Sequence, residues 1–196
     1  MTLLQKKITE REAVDCFIRT TMDVAKESWP SIRKDVLELS ALSHLRDLPF
    51  QDEDAAPFDF ALAIVAQDLE AANNLYDQPQ AGRIAKLVIE SFDYKDEEHK
   101  ALGEYAVQEI AAYRKRLHTD TDPIYAIAIR LLERWLGKDC HALEVPIDGK
   151  LVIDPLFLSL FNPIISCCCG FWKTTNDNYL LVEHELPFDD SRSRAE

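Results

Sequence analysis

Glycine is scarce in this chain. Only Gly82, Gly103, Gly137, Gly149 and Gly170 occur, each far from the next. They cannot make a Gly-x-Gly-x-x-Gly or Walker-type loop, so a glycine-rich phosphate cradle is excluded. No Gly-x-Ser-x-Gly elbow is present, which removes the α/β-hydrolase way of presenting a nucleophilic serine. Cations are also few: 22 Lys and Arg stand against 35 Asp and Glu, a net charge of -13. Nucleic-acid backbones and anionic membrane surfaces are held by clustered Lys and Arg, so both are disfavoured as partners. The opening stretch "MTLLQKKITERE" lacks an apolar run of useful length. That predicts no secretory leader and a cytoplasmic, reducing setting in which the five cysteines stay thiols. No His-Glu-x-x-His and no pair of Cys/His doublets at zinc spacing occurs, so no metal or other cofactor is expected.

What the chain does have is apolar residues at helical spacing. Thr9 and Glu12 stand at capping-box spacing ahead of Val14, Phe17, Ile18, Met22 and Ala25. Pro30 is expected to stop that helix, with a second one beginning at Ser31 and carrying Ile32, Val36, Leu39, Leu42 and Leu45. The acidic, proline-bounded "PFQDEDAAP" reads as a loop. Residues 58–77 give the most apolar helix, and Ala61 to Ala66 are apolar all round, which places this helix at the centre of the molecule. "DQPQAG" reads as the turn after it. Shorter helical patterns follow over 83–92 and 95–120, the latter acidic at its start and basic at its end, as the helix dipole favours. Asp122 and Pro123 form an N-cap pair for a helix that Gly137 stops.

After residue 140 the pattern changes. Asp148-Gly149 between β-prone runs signals a tight hairpin, with Pro146 confining its strand to an edge. Asp154-Pro155 and Asn162-Pro163 each predict the start of a short helix, and "NYLLVEHEL" reads as extended. The fold class is therefore mainly α: an antiparallel bundle of about six helices over residues 8–140 and a small mixed part over 141–188 with short helices and a minor β-hairpin. Residues 189–196 form a tail, and the whole of 1–196 is expected to be a single domain.

Two clusters are candidates for chemistry. "NPIISCCCGFWKTTND" holds Cys167, Cys168 and Cys169 in a row. Consecutive side chains point about 100° apart in a helix and to opposite faces in a strand, so three thiols cannot meet on one ion. Cys167 or Cys169 remains a candidate nucleophile if His141 or His184 stands beside it, since a thiolate needs such a partner. The plainer reading is that Ile164, Ile165, Phe171 and Trp172 enclose the cysteines as small hydrophobes. The second cluster is Asp96-Glu97-Glu98-His99, in which Asp96 and His99 share a helix face and resemble half of a di-iron motif. It lacks the second acid-x-x-His pair, and an exposed acidic first turn is the plainer reading.

No charge occurs between Pro155 and Trp172, but Pro155, Asn162, Pro163 and Gly170 interrupt that run. It is expected to be core or contact surface, including a homodimer face, and no membrane span. The resulting expectation is a non-catalytic, acidic, cytoplasmic helical protein that acts by protein–protein interaction. An inhibitor of immunity type, directed at a basic partner, is the concrete version. The alternative is a small helical enzyme or ligand-binding protein with a cysteine/histidine site between the helical body and the C-terminal part.

Overall fold

The structure, a computed structural model, describes residues 6–42, 50–119, 123–156, 158–159 and 170–183. It is mainly α-helical. Helices α1 (Glu10–Leu42), α2 (Ala56–Leu75), α3 (Gln78–Glu90), α4 (Glu97–Thr119) and α5 (Pro123–Leu136) are followed by a 3-10 turn over Gly137–Leu143. Strands β2 (Glu144–Ile147) and β3 (Lys150–Ile153), helix α6 (Phe171–Asn178) and strand β4 (Tyr179–Val182) complete it, with a short β1 (Lys6–Thr9) at the front.

Helix α2 is central. Ala61 through Ala66 are all buried, as their apolar run requires, and α1, α3, α4, α5 and α6 all pack against α2. Sequential neighbours mostly touch, as short connections dictate, but α4 lies chiefly on α2 and α5 rather than on α3. The α1 capping box forms: Glu12 N donates to Thr9 Oγ1 at 3.2 Å, and Thr9 N donates back to Glu12 Oε2 at 2.9 Å. Helix α4 carries Glu97 and Glu98 in its first turn and Arg116 and His118 in its last.

Two boundaries differ from expectation. Pro30 does not end the first helix, because α1 runs unbroken through it. The proline is on the exposed side, while Phe17, Thr21, Ala25, Trp29, Ile32 and Val36 form one buried stripe that continues past it. Trp29 stands edge-on to Trp135 and Phe50, at 5.1 and 5.4 Å between ring centroids. That packing outweighs the roughly 3 kcal/mol that an internal proline costs a helix. "DQPQAG" is likewise not a turn along its length. Asp77 caps α3 by accepting from Gln80 N at 2.9 Å, and Pro79 occupies the first turn, where its missing N–H goes unneeded.

The hairpin is as its dipeptide requires. Asp148 and Gly149 have φ of 50° and 76°, the left-handed pair of a two-residue turn, and Pro146 lies opposite Leu151. Asp154 Oδ1 accepts from Leu156 N at 2.8 Å, so the expected cap ahead of Pro155 forms. The Asp122 and Asn162-Pro163 caps lie outside the described residues. Strand β1 was not legible as a strand. It pairs in parallel with β4, Lys6 opposite Tyr179 and Thr9 opposite Val182, which ties the front of the helical body to the C-terminal part.

Candidate functional site

The expected chemical clusters come out as follows. Cys167, Cys168, Cys169 and His184 lie outside the described residues. His141 is exposed and faces Glu144 at 3.0 Å, one helical turn on in sequence. The adjacent Cys140 is buried, and burial pushes its thiol up, away from the reactive thiolate. Asp96 and His99 do meet, Nδ1 to Oδ1 at 2.5 Å, and the same Oδ1 accepts from His99 N at 2.9 Å. This is a helix cap on an exposed surface, and its bond to His99 holds the Asp96 carboxyl below its ordinary range. Among the described residues no group of three or more His, Cys, Asp or Glu is placed to hold a metal ion. Trp172, expected in the core or on a contact face, is fully buried in its own chain. Phe17 and Phe171 stand 5.2 Å from its ring, and Tyr76 donates to its carbonyl at 3.3 Å.

Many arginines are engaged in internal pairs. Glu10, 1% exposed, is gripped by Arg83 through Nη2 at 2.8 Å and Nε at 3.0 Å, and by Gln80 at 3.2 Å, joining α1 to α3. Arg130 makes a two-pronged pair with Glu109 at 2.6 and 2.9 Å, joining α5 to α4. Arg116 does the same with Glu133 at 2.8 Å, and Arg114 holds Glu70 at 2.6 Å. Asp59 is buried beneath Tyr105, whose hydroxyl donates to it, and Arg134 stacks over the Tyr105 ring at 5.0 Å. Burial raises the Asp59 carboxyl, and the Tyr105 bond opposes that rise. These pairs cross-brace α2, α4 and α5.

Two surface clefts among the described residues bear on function. The first, about 450 Å³, lies where α3 turns into α4. Ile89, Phe92 and Val107 give it an apolar wall, and Glu90, which Arg11 holds at 2.8 Å, Asp93 and Glu104 give it an acidic rim. Lys100, also on the rim, stands 3.9 Å from Glu97. Gly103 makes the shape possible, since a Cβ there would stand 2.1 Å from the Phe92 carbonyl oxygen. Asp96, Glu97 and Glu98 extend the acidic surface along the start of α4.

The second cleft, about 680 Å³, lies between α2, the end of α4 and the start of α6. It is at the junction of the helical body with the C-terminal part, where a site was expected, but its groups are different ones. Asp68, fully buried, accepts from Gly170 N at 3.3 Å through Oδ1, while Oδ2 has no partner. Gln67 Oε1 is buried without a partner as well. Burial raises the Asp68 carboxyl to about 7, opposed by the Gly170 amide. Ala71, Leu75 and Leu117 supply apolar wall, and Glu70, His118 and Lys173 stand around the mouth. Sequence reasoning missed Asp68 because a lone acid in "AQDLEAANN" reads as the wet side of a helix. The available signal was its place, three residues after Val65 and four before Ala72, both buried on the same helix. Among the described residues no helix is long and apolar enough to cross a membrane. No protein-family model, curated protein or solved structure matches the chain.

Proposed function

We propose that this protein acts without catalysis, by binding a basic protein partner through the cleft between α3 and α4. The observation that carries this reading is the pairing of an apolar wall, Ile89, Phe92 and Val107, with an acidic rim, Glu90, Asp93 and Glu104. A lysine or arginine side chain has the complementary form, an apolar stem ending in a charge. The chain's -13 net charge adds a long-range field that speeds encounter with a cationic surface. In its concrete form this is an immunity-type inhibitor working in the cytoplasm, where it covers the basic face of its target. The alternative, a cysteine/histidine site, gains no support from His141, which is paired with Glu144, or from Cys140, which is buried.

The test is capture of partner from the source cytosol by the wild-type chain and by a Glu90→Lys, Asp93→Lys, Glu104→Lys triple variant. The expected result is one basic protein retained at low salt, released at high salt, and lost by the triple variant while its circular dichroism stays unchanged. Equal capture by the triple variant would refute the cleft. Retention of a second copy of the chain instead would point to a homodimer, for which Ile147, Leu151 and Leu156, exposed around the hairpin, are candidate contacts among the described residues.

A further inference from the structure

Asp68 is fully buried on the central helix, under the start of α6. Its carboxyl accepts one hydrogen bond, from Gly170 N to Oδ1 at 3.3 Å, and Oδ2 has no partner. A carboxylate sealed from water with a single amide donor is far less favourable than a neutral carboxyl in the same place. The element that seals Asp68 is therefore held more firmly when Asp68 carries a proton.

That element is α6. Besides the Gly170 amide, it is fixed to the body by Trp172, which is fully buried against Phe17, and by Tyr76, whose hydroxyl donates to the Trp172 carbonyl at 3.3 Å. It packs chiefly on α2, and the cleft of about 680 Å³ lies between its start and the end of α4. Eight residues are too few to stay helical away from α2. Lifting α6 thus uncovers Asp68 and melts α6 in one step.

We propose that α6 is a proton-dependent latch, held on α2 while the Asp68 carboxyl is neutral and released more often once that carboxyl ionises. Burial raises the carboxyl to about 7 in the closed latch, opposed by the Gly170 amide, and the ordinary 3.8 returns when water reaches it. The extra hold is complete below about pH 4 and declines as pH rises, until it is lost a little above 7. The charged groups around Asp68 do not change this direction. Glu70 on α2 is held by Arg114 of α4 at 2.6 Å and lies 3.4 Å from His118, so the cations of α4 are directed at Glu70. Lys173 of α6 is exposed, where water and salt screen it. The Tyr76 hydroxyl is pushed up by burial to about 12, outside the range of the latch. No charged side chain of α1, α3 or α5 contributes to the Asp68 shift.

Hydrogen exchange of the full chain, followed by NMR at pH 5, 6, 7 and 8 and corrected for intrinsic rates, tests the latch. The amides of α6 should exchange through an opening far more frequent than the one that exposes Leu62 to Val65 in the centre of α2. The equilibrium constant of that opening should rise about tenfold from pH 5 to 6, roughly fiftyfold from 5 to 7, and only about twofold more by pH 8, as the release of one proton requires. Asp68→Asn should abolish the rise. His118→Gln, which removes the imidazole at the mouth of the cleft, should leave it in place. An α6 opening in the wild-type chain that does not change with pH would overturn the proposal. So would α6 amides as well protected as those of Leu62 to Val65, because Asp68 would then be uncovered only by global unfolding. A rise that persists in Asp68→Asn, or disappears in His118→Gln, would assign the proton to another group and overturn it as well.

Discussion

Replacing Asp68 with asparagine should make the protein more stable at pH 8 and leave it little changed near pH 5. The Asp68 carboxyl titrates at about 7 in the folded chain, against 3.8 for the ordinary group. Between those values the folded state holds a proton that the unfolded chain has released. The folded state is thus favoured by low pH, and stability falls as pH rises from about 4 to 7, by about 1.4 kcal/mol per pH unit. The full penalty above pH 7 is on the order of 4 kcal/mol. Asparagine carries no charge and keeps an oxygen for Gly170 N, but it sets an unpartnered N–H donor where Oδ2 was, at a cost of about 1–3 kcal/mol. The balance is a gain of roughly 1–3 kcal/mol at pH 8, a rise in melting temperature of about 2–10 °C for a chain of this size. Near pH 5 the two effects nearly cancel. Urea unfolding of both proteins at pH 5, 6, 7 and 8 provides the assay. The decisive quantity is how the difference between them changes from pH 5 to 7, expected to be about 3 kcal/mol, because the cost of the unpartnered donor drops out. A difference that stays constant with pH would mean that Asp68 is not a buried titrating group, and the reasoning would fail.

Other expected outcomes are simpler. Arg83→Ala should lower stability by about 2–3 kcal/mol, since it leaves the almost fully buried Glu10 with only Gln80 as a side-chain partner; chemical denaturation measures it. Gly103→Ala should cost about 1–3 kcal/mol, because its methyl group meets the Phe92 carbonyl and α4 must shift away; a neutral result would show the approach to be looser. Pro30→Ala should raise the urea midpoint by about 1–3 kcal/mol in free energy with no change in slope, as the exposed proline has no packing role to lose. Trp172→Ala should cost about 3–5 kcal/mol and quench the interior tryptophan signal, whereas Leu151→Lys, on a side chain 66% exposed, should stay within about 0.5 kcal/mol of wild type.

The parts of the fold that were legible in advance are those decided within a few residues. The Thr9–Glu12 capping box, the Asp148-Gly149 turn, the stop at Gly137 and the burial of Ala61 to Ala66 all follow from local chemistry or a single helical period. The misread parts are those decided at a distance. Pro30 was judged by its own backbone, but Trp135, about a hundred residues away, holds Trp29 and carries the helix past it. Four residues of β1 carry too little period to announce a strand, and their partner is at the other end of the chain. The candidate clefts show the same division. The acids at the start of α4 were visible as a cluster, but the cleft beside them needs Ile89, Phe92 and Val107 brought to one wall by the turn from α3 into α4. Asp68 became informative only when α6 closed over it and supplied the Gly170 amide.

The parallel pairing of β1 with β4 has a consequence for synthesis. Of the described elements, β1 leaves the ribosome first and β4 last, so β1 waits, its edge hydrogen bonds unmet, while the five long helices are made. Closing that pair joins residues more than 170 positions apart, and the entropy of so large a loop delays it until the helices have already shortened the distance. The two-strand clasp is thus expected to close only after the helices have packed. A chain that lacks Tyr179–Val182 would leave Lys6–Thr9 without its strand partner.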